Sequence, residues 1–409
     1  MDRVKVGKGN TLLLHGPASA ILVEGRASVL GCPLSSRRRL IVKSWRSRPI
    51  YAEEDSIIDV AYGEGGGFEI VEGDTIPSEW RSFAGKASEK PSCVCVYGGV
   101  DSGKTSLATL IANNIVRRNG SAIYLDLDLG QSNICPPTTI GCTLLRTPSP
   151  EISYHRMEFG EVVGYTSPTP IVEKHLEAVR RLVGYISEKY PGVGVSTDLD
   201  GWTSGIQALK HKEMLLSILK PRLLAAIGDM PDELRESCEK LGIDYEVLPP
   251  PRNVRKRTQE ARKRLREIAY ERFLRKAIVR KIPASWVKMK TITGFDEPGE
   301  IAKHVKGLLS RYSEYSGEIL DEAVDALEEL AKKKIGILSY LRDTSGLFSG
   351  IGLLISLDLK KNYFRILTPY DAQIGELIIG AILLSIDGEE VYAEPPVNLP
   401  RPSPSNKSS

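Results

Sequence analysis

Over the first 85 residues the apolar positions come in short runs, TLLLHG, AILVEG, RLIVKSW and SIIDVAYG, broken by Gly, Pro and Ser-Arg turns. Runs of this length predict a small all-β domain over residues 1–85. The texture then changes. SCVCV (92–96) reads as a buried strand entering a glycine-rich loop, Leu107, Leu110, Ile111 and Ile115 recur at helical spacing within Thr105–Arg118, and SAIYLDLD (121–128) is a second strand. Strand, loop, helix, strand is the start of a parallel α/β sheet. The pattern continues through VGVST (193–197), a helix over Ala208–Leu219, the strand RLLAAIGD (222–229) and a helix over Asp232–Leu241. Beyond it Ala261, Leu265, Ile268, Ala269 and Phe273 form one helical stripe, which turns the intervening arginines outward. From about Lys334 strand texture returns in IGILSYLRD, GIGLLISLD, YFRILTP and ELIIGAILLSIDG. The predicted organisation is a β-domain (1–85), a parallel-sheet α/β domain (86–315), a second small β-domain (316–394) and a Pro- and Ser-rich tail (395–409) with too little apolar surface to fold.

Composition narrows the class. The longest apolar run, LIIGAILLSI at Leu377–Ile386, is far short of the roughly 20 residues of a membrane helix, so no membrane span is expected. The N-terminus lacks an apolar stretch followed by a small-residue cleavage site, which predicts a cytoplasmic protein. Six scattered cysteines without a CxxC pair predict neither disulfides nor cysteine-bound metal, and the five histidines show no metal spacing. Charge is uneven. Residues 252–281 carry 13 Lys or Arg against three acids, a local +10 in a chain whose total is +3, so everything else sums to −7. Such asymmetry points to a polyanionic partner.

YGGVDSGKTS (97–106) fills the pattern G-x-x-x-x-G-K-[ST] between a predicted strand and a predicted helix, the context that makes it a phosphate-binding loop. Gly98, Gly99, Val100, Asp101, Ser102, Gly103, Lys104, Thr105 and Ser106 would wrap a nucleotide's phosphates, with Lys104 on the β- and γ-phosphates and Thr105 on Mg²⁺ or another divalent cation. No [NT]-K-x-D guanine-reading motif follows, so the expected nucleotide is ATP. The fold class is thus α/β, a P-loop NTPase parallel-sheet domain flanked by two small β-domains. In YLDLDLGQ the strand tip favours Asp128 over Asp126 as the group near the γ-phosphate, with Gln131 in the next turn available to metal or water. These residues alone leave Asp128 equally readable as a general base and as an aspartate that binds Mg²⁺ through water. GYTSPTP (164–170) reads as a turn. Trp202, in the glycine-bounded loop STDLDGWTSG, reads as a core aromatic or as a base-stacking surface.

YGGVDSGKTS, YLDLDLGQ, GYTSPTP, DGW (200–202), the R-T-x-x-x-R of 257–262 and LTP (367–369), preceded by HGPAS (15–19) and TIPSEW (75–80), occur here in the order seen in the polyribonucleotide 5′-hydroxyl-kinase family, which the chain resembles over nearly its whole length. The family includes archaeal RNA kinases, an rRNA-processing kinase and the kinase subunit of the pre-mRNA cleavage machinery. The resemblance implies transfer of the γ-phosphate of ATP to the 5′-hydroxyl end of RNA, with DNA ends as a second acceptor. It makes Asp128, 24 positions after Lys104, the general base, and Arg257 and Arg262 the arginines of a lid (252–281) over the transferring group. It makes Thr166 and Ser167 parts of a clasp that holds the lysine and phosphates, and Trp202 a surface for the RNA base. The family commonly has N/D-T-x-G-W where this chain has Asp198, Leu199, Asp200, Gly201 and Trp202. Two other readings are an ATP-binding RNA-processing scaffold, against which the retained lysine, base and arginines argue, and a P-loop ATPase, which leaves the arginine lid unexplained.

Overall fold

Nine short strands open the chain: β1 (Asp2–Val6), β2 (Thr11–His15), β3 (Ala18–Glu24), β4 (Ala27–Val29), β5 (Cys32–Pro33), β6 (Leu40–Val42), β7 (Ser47–Ala52), β8 (Ser56–Tyr62) and β9 (Gly67–Val71). In this computed structural model, which describes residues 1–36, 38–169, 171–252, 257–312 and 323–393, they pair antiparallel into sheets β1-β8-β3-β6 and β5-β4-β7-β2-β9. Buried and half-exposed residues alternate along β3 and β7, as the two-residue period of a strand with one covered face requires. Helix α1 (Ser78–Ser88) follows and buries Trp80 and Phe83 in one apolar core with Leu12, Leu14, Ile50 and Ile58.

The central sheet is built from β10 (Cys93–Gly98), β11 (Ala122–Asp126), β12 (Thr139–Leu145), β13 (Phe159–Val162), β14 (Gly194–Asp198), β15 (Leu223–Ile227) and β16 (Asp244–Leu248), in the order β13-β12-β11-β14-β10-β15-β16. From β11 to β16 every neighbouring pair is parallel, and β12 extends the sheet antiparallel on β11. The associated helices are α2 (Lys104–Asn119), α3 (Val172–Lys189), α4 (Ile206–Leu219), α5 (Asp232–Leu241) and α6 (Gln259–Leu274). Its consequence for the site is one of register. Asp198 at the end of β14 pairs with Asp126 of β11 on one side and with Val96 of β10 on the other, so three strand tips come side by side. Those carboxyl ends are where ligands bind in open α/β sheets.

The last sheet contains β17 (Ile278–Pro283), β18 (Lys288–Thr291), β19 (Ile335–Arg342), β20 (Phe348–Asp358), β21 (Tyr363–Thr368), β22 (Glu376–Ser385) and β23 (Glu390–Ala393), with helices α7 (Pro298–Tyr312) and α8 (Ala323–Lys332). Its order is β17-β21-β20-β19-β22-β18, with β23 also on β22. β17 and β18 precede Lys334, where basic residues interrupt the apolar runs of KAIVRKIP and WVKMKT and hide the strand signal. Five chain steps join the end of β17 to the start of β18, a reach of about 17 Å. Flat, the sheet would hold these outer strands roughly 24 Å apart, so it must curl.

By contacts the chain divides into two units, one of residues 1–135, 140–161 and 176–265, the other of residues 136–139, 162–175 and 266–409. The expected boundary at 315/316 and the expected tail of 395–409 lie outside the described residues. Among the described residues no helix is long and apolar enough to cross a membrane.

Candidate active site

The phosphate loop joins the tip of β10 to the first turn of α2, and close packing dictates the glycines at 98 and 103. Gly103 caps α2 at φ 100°, and a Cβ there would lie 2.8 Å from the Trp80 ring and 3.2 Å from Pro251. Gly98 is walled by Ile227 and by the buried Ser102 hydroxyl, which has no hydrogen-bond partner. Asp101 takes a left-handed φ of 58°, tolerable for an aspartate. Lys104 is buried and donates from Nζ to the Gly99 carbonyl at 2.7 Å, so the loop closes on its own ammonium. With the helix N-terminus this is an anion cradle.

Three aspartates cluster at and just beyond the strand tips, one of them bonded to the loop's Thr105. Asp126, fully buried, receives the Asp128 and Asn133 amides (3.2 and 2.8 Å) and the Ser132 hydroxyl (3.1 Å). That turn pulls the chain out of the sheet after Asp126, so the strand ends two residues short of the expected 121–128 and Asp128 stands just beyond it. Asp128 is half-buried and accepts through Oδ1 from the Gly130 and Gln131 amides, both at 2.9 Å. Burial raises its pKa, the Lys104 charge lowers it and the Asp200 charge raises it. Asp198, missed in the sequence, accepts the Thr105 hydroxyl at 2.6 Å and the Tyr124 hydroxyl at 3.1 Å, both on Oδ2, while its buried Oδ1 has no hydrogen-bond partner. Burial pushes its pKa up to about 6 against the pull of Lys104 and of the Thr105 hydrogen bond. An orphaned, buried carboxylate oxygen beside a loop threonine fits a divalent cation, which Thr105, Asp198 and Asp128 could hold with hard oxygen donors. Its signal was available: VGVSTD ends a strand just as YLD does, and the same strand-tip rule applies.

The lid arginines reach the loop through Asp101. Arg257 donates its backbone N–H (2.9 Å) and Nη1 (3.1 Å) to that carboxylate, and Arg262 Nη1 lies 3.6 Å from it. Local chain chemistry explains the R-T-x-x-x-R spacing. Thr258 caps α6, its hydroxyl accepting the Ala261 amide at 3.1 Å, so Arg257 lies just before the cap and Arg262 one turn inside. Arg262 Nη1 also donates to the Arg257 carbonyl at 2.9 Å. Gln131 spends its amide group on the carbonyls of Gly130 (2.9 Å) and Arg262 (3.1 Å), tying the Asp128 turn to the lid rather than presenting its NH₂ to the loop.

Trp202 lies beside the loop because Gly201 packs on Val100, where a Cβ would come within 2.9 Å of the valine side chain. Asp200 holds this turn, accepting the Trp202 amide at 2.9 Å and the buried Lys212 ammonium at 2.6 Å. The indole, half-buried, lies 5.4 Å from the His211 ring. Leu199 is buried, so where the family commonly carries a threonine this chain has a core residue, and the neighbouring carboxylate pins the turn. Thr166 and Ser167 fall in the other unit, where the Ser167 and Thr169 hydroxyls are 3.0 Å apart.

Residues 98–276 match the sequence model of the family described as the mRNA cleavage and polyadenylation factor CLP1 P-loop. The chain is 25% identical over 335 residues to the polyribonucleotide 5′-hydroxyl-kinase of Methanocaldococcus jannaschii, an alignment covering 75% of this chain and 91% of that protein. Against the polyribonucleotide 5′-hydroxyl-kinase of Thermococcus kodakarensis it is 26% identical over 328 residues, covering 74% and 91%. The fold is similar to that of Clp1p solved with a Pcf11p fragment, at TM-score 0.67 and 12% identity over 93% of this chain and 97% of that one. The chain is thus similar to the CLP1 P-loop family over residues 98–276 and to archaeal polyribonucleotide 5′-hydroxyl-kinases over about three quarters of its length.

Proposed function

We propose that this homologue of the archaeal polyribonucleotide 5′-hydroxyl-kinases phosphorylates the 5′-hydroxyl end of RNA, taking the γ-phosphoryl group from ATP and accepting DNA ends as well. The observation that carries the reading is the convergence on one loop of a half-buried carboxylate, an ammonium and two guanidinium groups. Asp128 stands beyond β11 in the field of Lys104, and Arg257 and Arg262 are drawn to Asp101 of the loop itself. Cations on the equatorial oxygens and a group that orients the nucleophile serve hydrolysis and transfer alike, and the similarity to RNA 5′-hydroxyl-kinases over most of the chain supports an alcohol as the acceptor.

The roles follow from the chemistry of each group. Asp128 keeps one carboxylate oxygen on two backbone amides and takes the hydroxyl proton with the other. Lys104 exchanges the Gly99 carbonyl for phosphate oxygens, and the buried Ser102 hydroxyl gains an acceptor there. Arg257 and Arg262 offset the charge of the departing metaphosphate-like group, a contribution of roughly 10³–10⁵ in rate for arginines so used. Mg²⁺, held by Thr105 and Asp198, would neutralise phosphate charge while Asp128 serves as the base. Gln131 acts on this site from the turn it ties to the lid. Trp202 offers a ring face to the terminal base, worth roughly 1–3 kcal/mol. Thr166 and Ser167 enter only through the family resemblance.

The experiment is incubation of the full chain with γ-labelled ATP and 5′-hydroxyl oligomers of RNA and DNA, for the wild type and Asp128→Asn. Label should appear on the RNA end and fall at least about 100-fold in the variant, with ATP affinity nearly intact. Free phosphate alone, with or without oligomer, would make the protein an ATPase.

A further inference from the structure

The segment from Arg272 to Phe295 carries seven Lys or Arg and no Asp or Glu. Within it, β17 is an edge strand: among the described residues it pairs on one side, with β21. Charged edges are ordinary protection against aggregation, but this one is also apolar. Ile278 is 61% exposed, Val279 56% and Trp286, in the turn that leads to β18, 71%. Lys276, Lys281 and Lys288 are exposed around them, and the Lys281 ammonium lies 4.2 Å from the centre of the Tyr363 ring, which is half-buried. Arg280 donates to the carbonyls of Tyr370 and Ala372, both at 2.8 Å. Three acids of the sheet and of α8 already have cations, while Asp371, between Tyr370 and Ala372, is exposed. Glu376 holds Lys290 (2.8 Å) and Arg342 (3.4 Å), Glu328 holds Arg365 (3.3 Å), and Asp358 holds Lys361 (3.4 Å).

We infer that this strand and turn bind single-stranded RNA. Lysines spaced along an edge follow a phosphate backbone, and an exposed indole receives an unstacked base. An acidic protein would satisfy the lysines but has no planar group for Trp286. A duplex offers phosphates but keeps its bases stacked. The identity of the polymer as RNA rests on the kinase reading, while the surface itself belongs to a different segment from the phosphate loop.

The test uses the full chain with Lys276→Gln, Lys281→Gln and Lys288→Gln combined, and separately Trp286→Ala. Fluorescence anisotropy with a 5′-phosphorylated RNA 20-mer reads affinity against salt, independently of any transfer. The triple variant should bind at least about tenfold more weakly, with the slope of log K against log salt shallower by about 2, near 0.7 per lysine. Trp286→Ala should lose roughly 5- to 100-fold. Phosphorylation of a trinucleotide should be unchanged in both, which also checks folding. Unchanged 20-mer affinity in both variants would overturn the assignment. An equal loss for a blunt duplex, or tighter binding of poly-glutamate than of RNA, would overturn the choice of partner. If the wild type transfers no phosphate yet the variants lose the 20-mer, the kinase reading fails and this surface stands.

Discussion

Asp198 is buried, yet only one of its two carboxylate oxygens is hydrogen-bonded. A carboxyl whose pKa is raised from 3.8 to about 6 favours the neutral form when folded. Between those values the folded state binds more protons than the unfolded one, so this group's effect on stability is best at low pH and is lost as pH rises through about 6. The cost at neutral pH is on the order of 3 kcal/mol. Asp198→Asn should therefore raise the melting temperature of the ligand-free protein at pH 7.5, flatten its pH dependence between pH 4 and 6, and weaken Mg²⁺-dependent binding of ATP. An unchanged melting profile would mean that the carboxylate is solvated or already neutralised. Trp202 makes a separate residue-level case. Its alanine variant should raise KM for RNA about 5- to 100-fold and leave ATP affinity alone, the split expected of a stacking surface.

The lid helix α6 owes its start to Thr258 and its contact with the loop to Asp101. Asp101→Asn keeps the shape and removes the charge that draws Arg257 and Arg262. Losing a charge-assisted hydrogen bond costs about 1.5–3 kcal/mol, so amide exchange over 258–262 should speed up at least about tenfold in the ligand-free variant. Unchanged protection would show that α6 is held by its apolar stripe alone. Elements with one clear period were legible in the sequence: β10, α2, β14, α4, β15 and α5 lie within a few residues of their expected spans. Those with mixed patterns were not. β17 and β18 are cut by lysines and arginines, and the extent of β11 depended on an aspartate turn that no periodicity reports.

The chain's charge is partitioned much as its chemistry is. The excess positive charge of 252–281 spans the lid arginines and β17, while the acids that meet the phosphate loop come from strand tips far apart in sequence. That separation limited what the sequence could disclose about the site. Lys104, Thr105 and Asp128 were legible because they belong to local motifs. Asp198 on Thr105, Asp101 on the lid and the Lys212–Asp200 pair under Trp202 are contacts across 93, 156 and 12 positions, which depend on strand order and helix packing. The account makes all of these parts of one transfer site, and the most direct measurement of it is label transfer from γ-labelled ATP to a 5′-hydroxyl RNA oligomer by the wild-type chain and by Asp128→Asn. The account predicts 5′-labelled RNA from the wild type and a loss of at least about 100-fold in the variant at unchanged ATP affinity. Equal transfer by the variant, or release of free phosphate alone by the wild type, would contradict it.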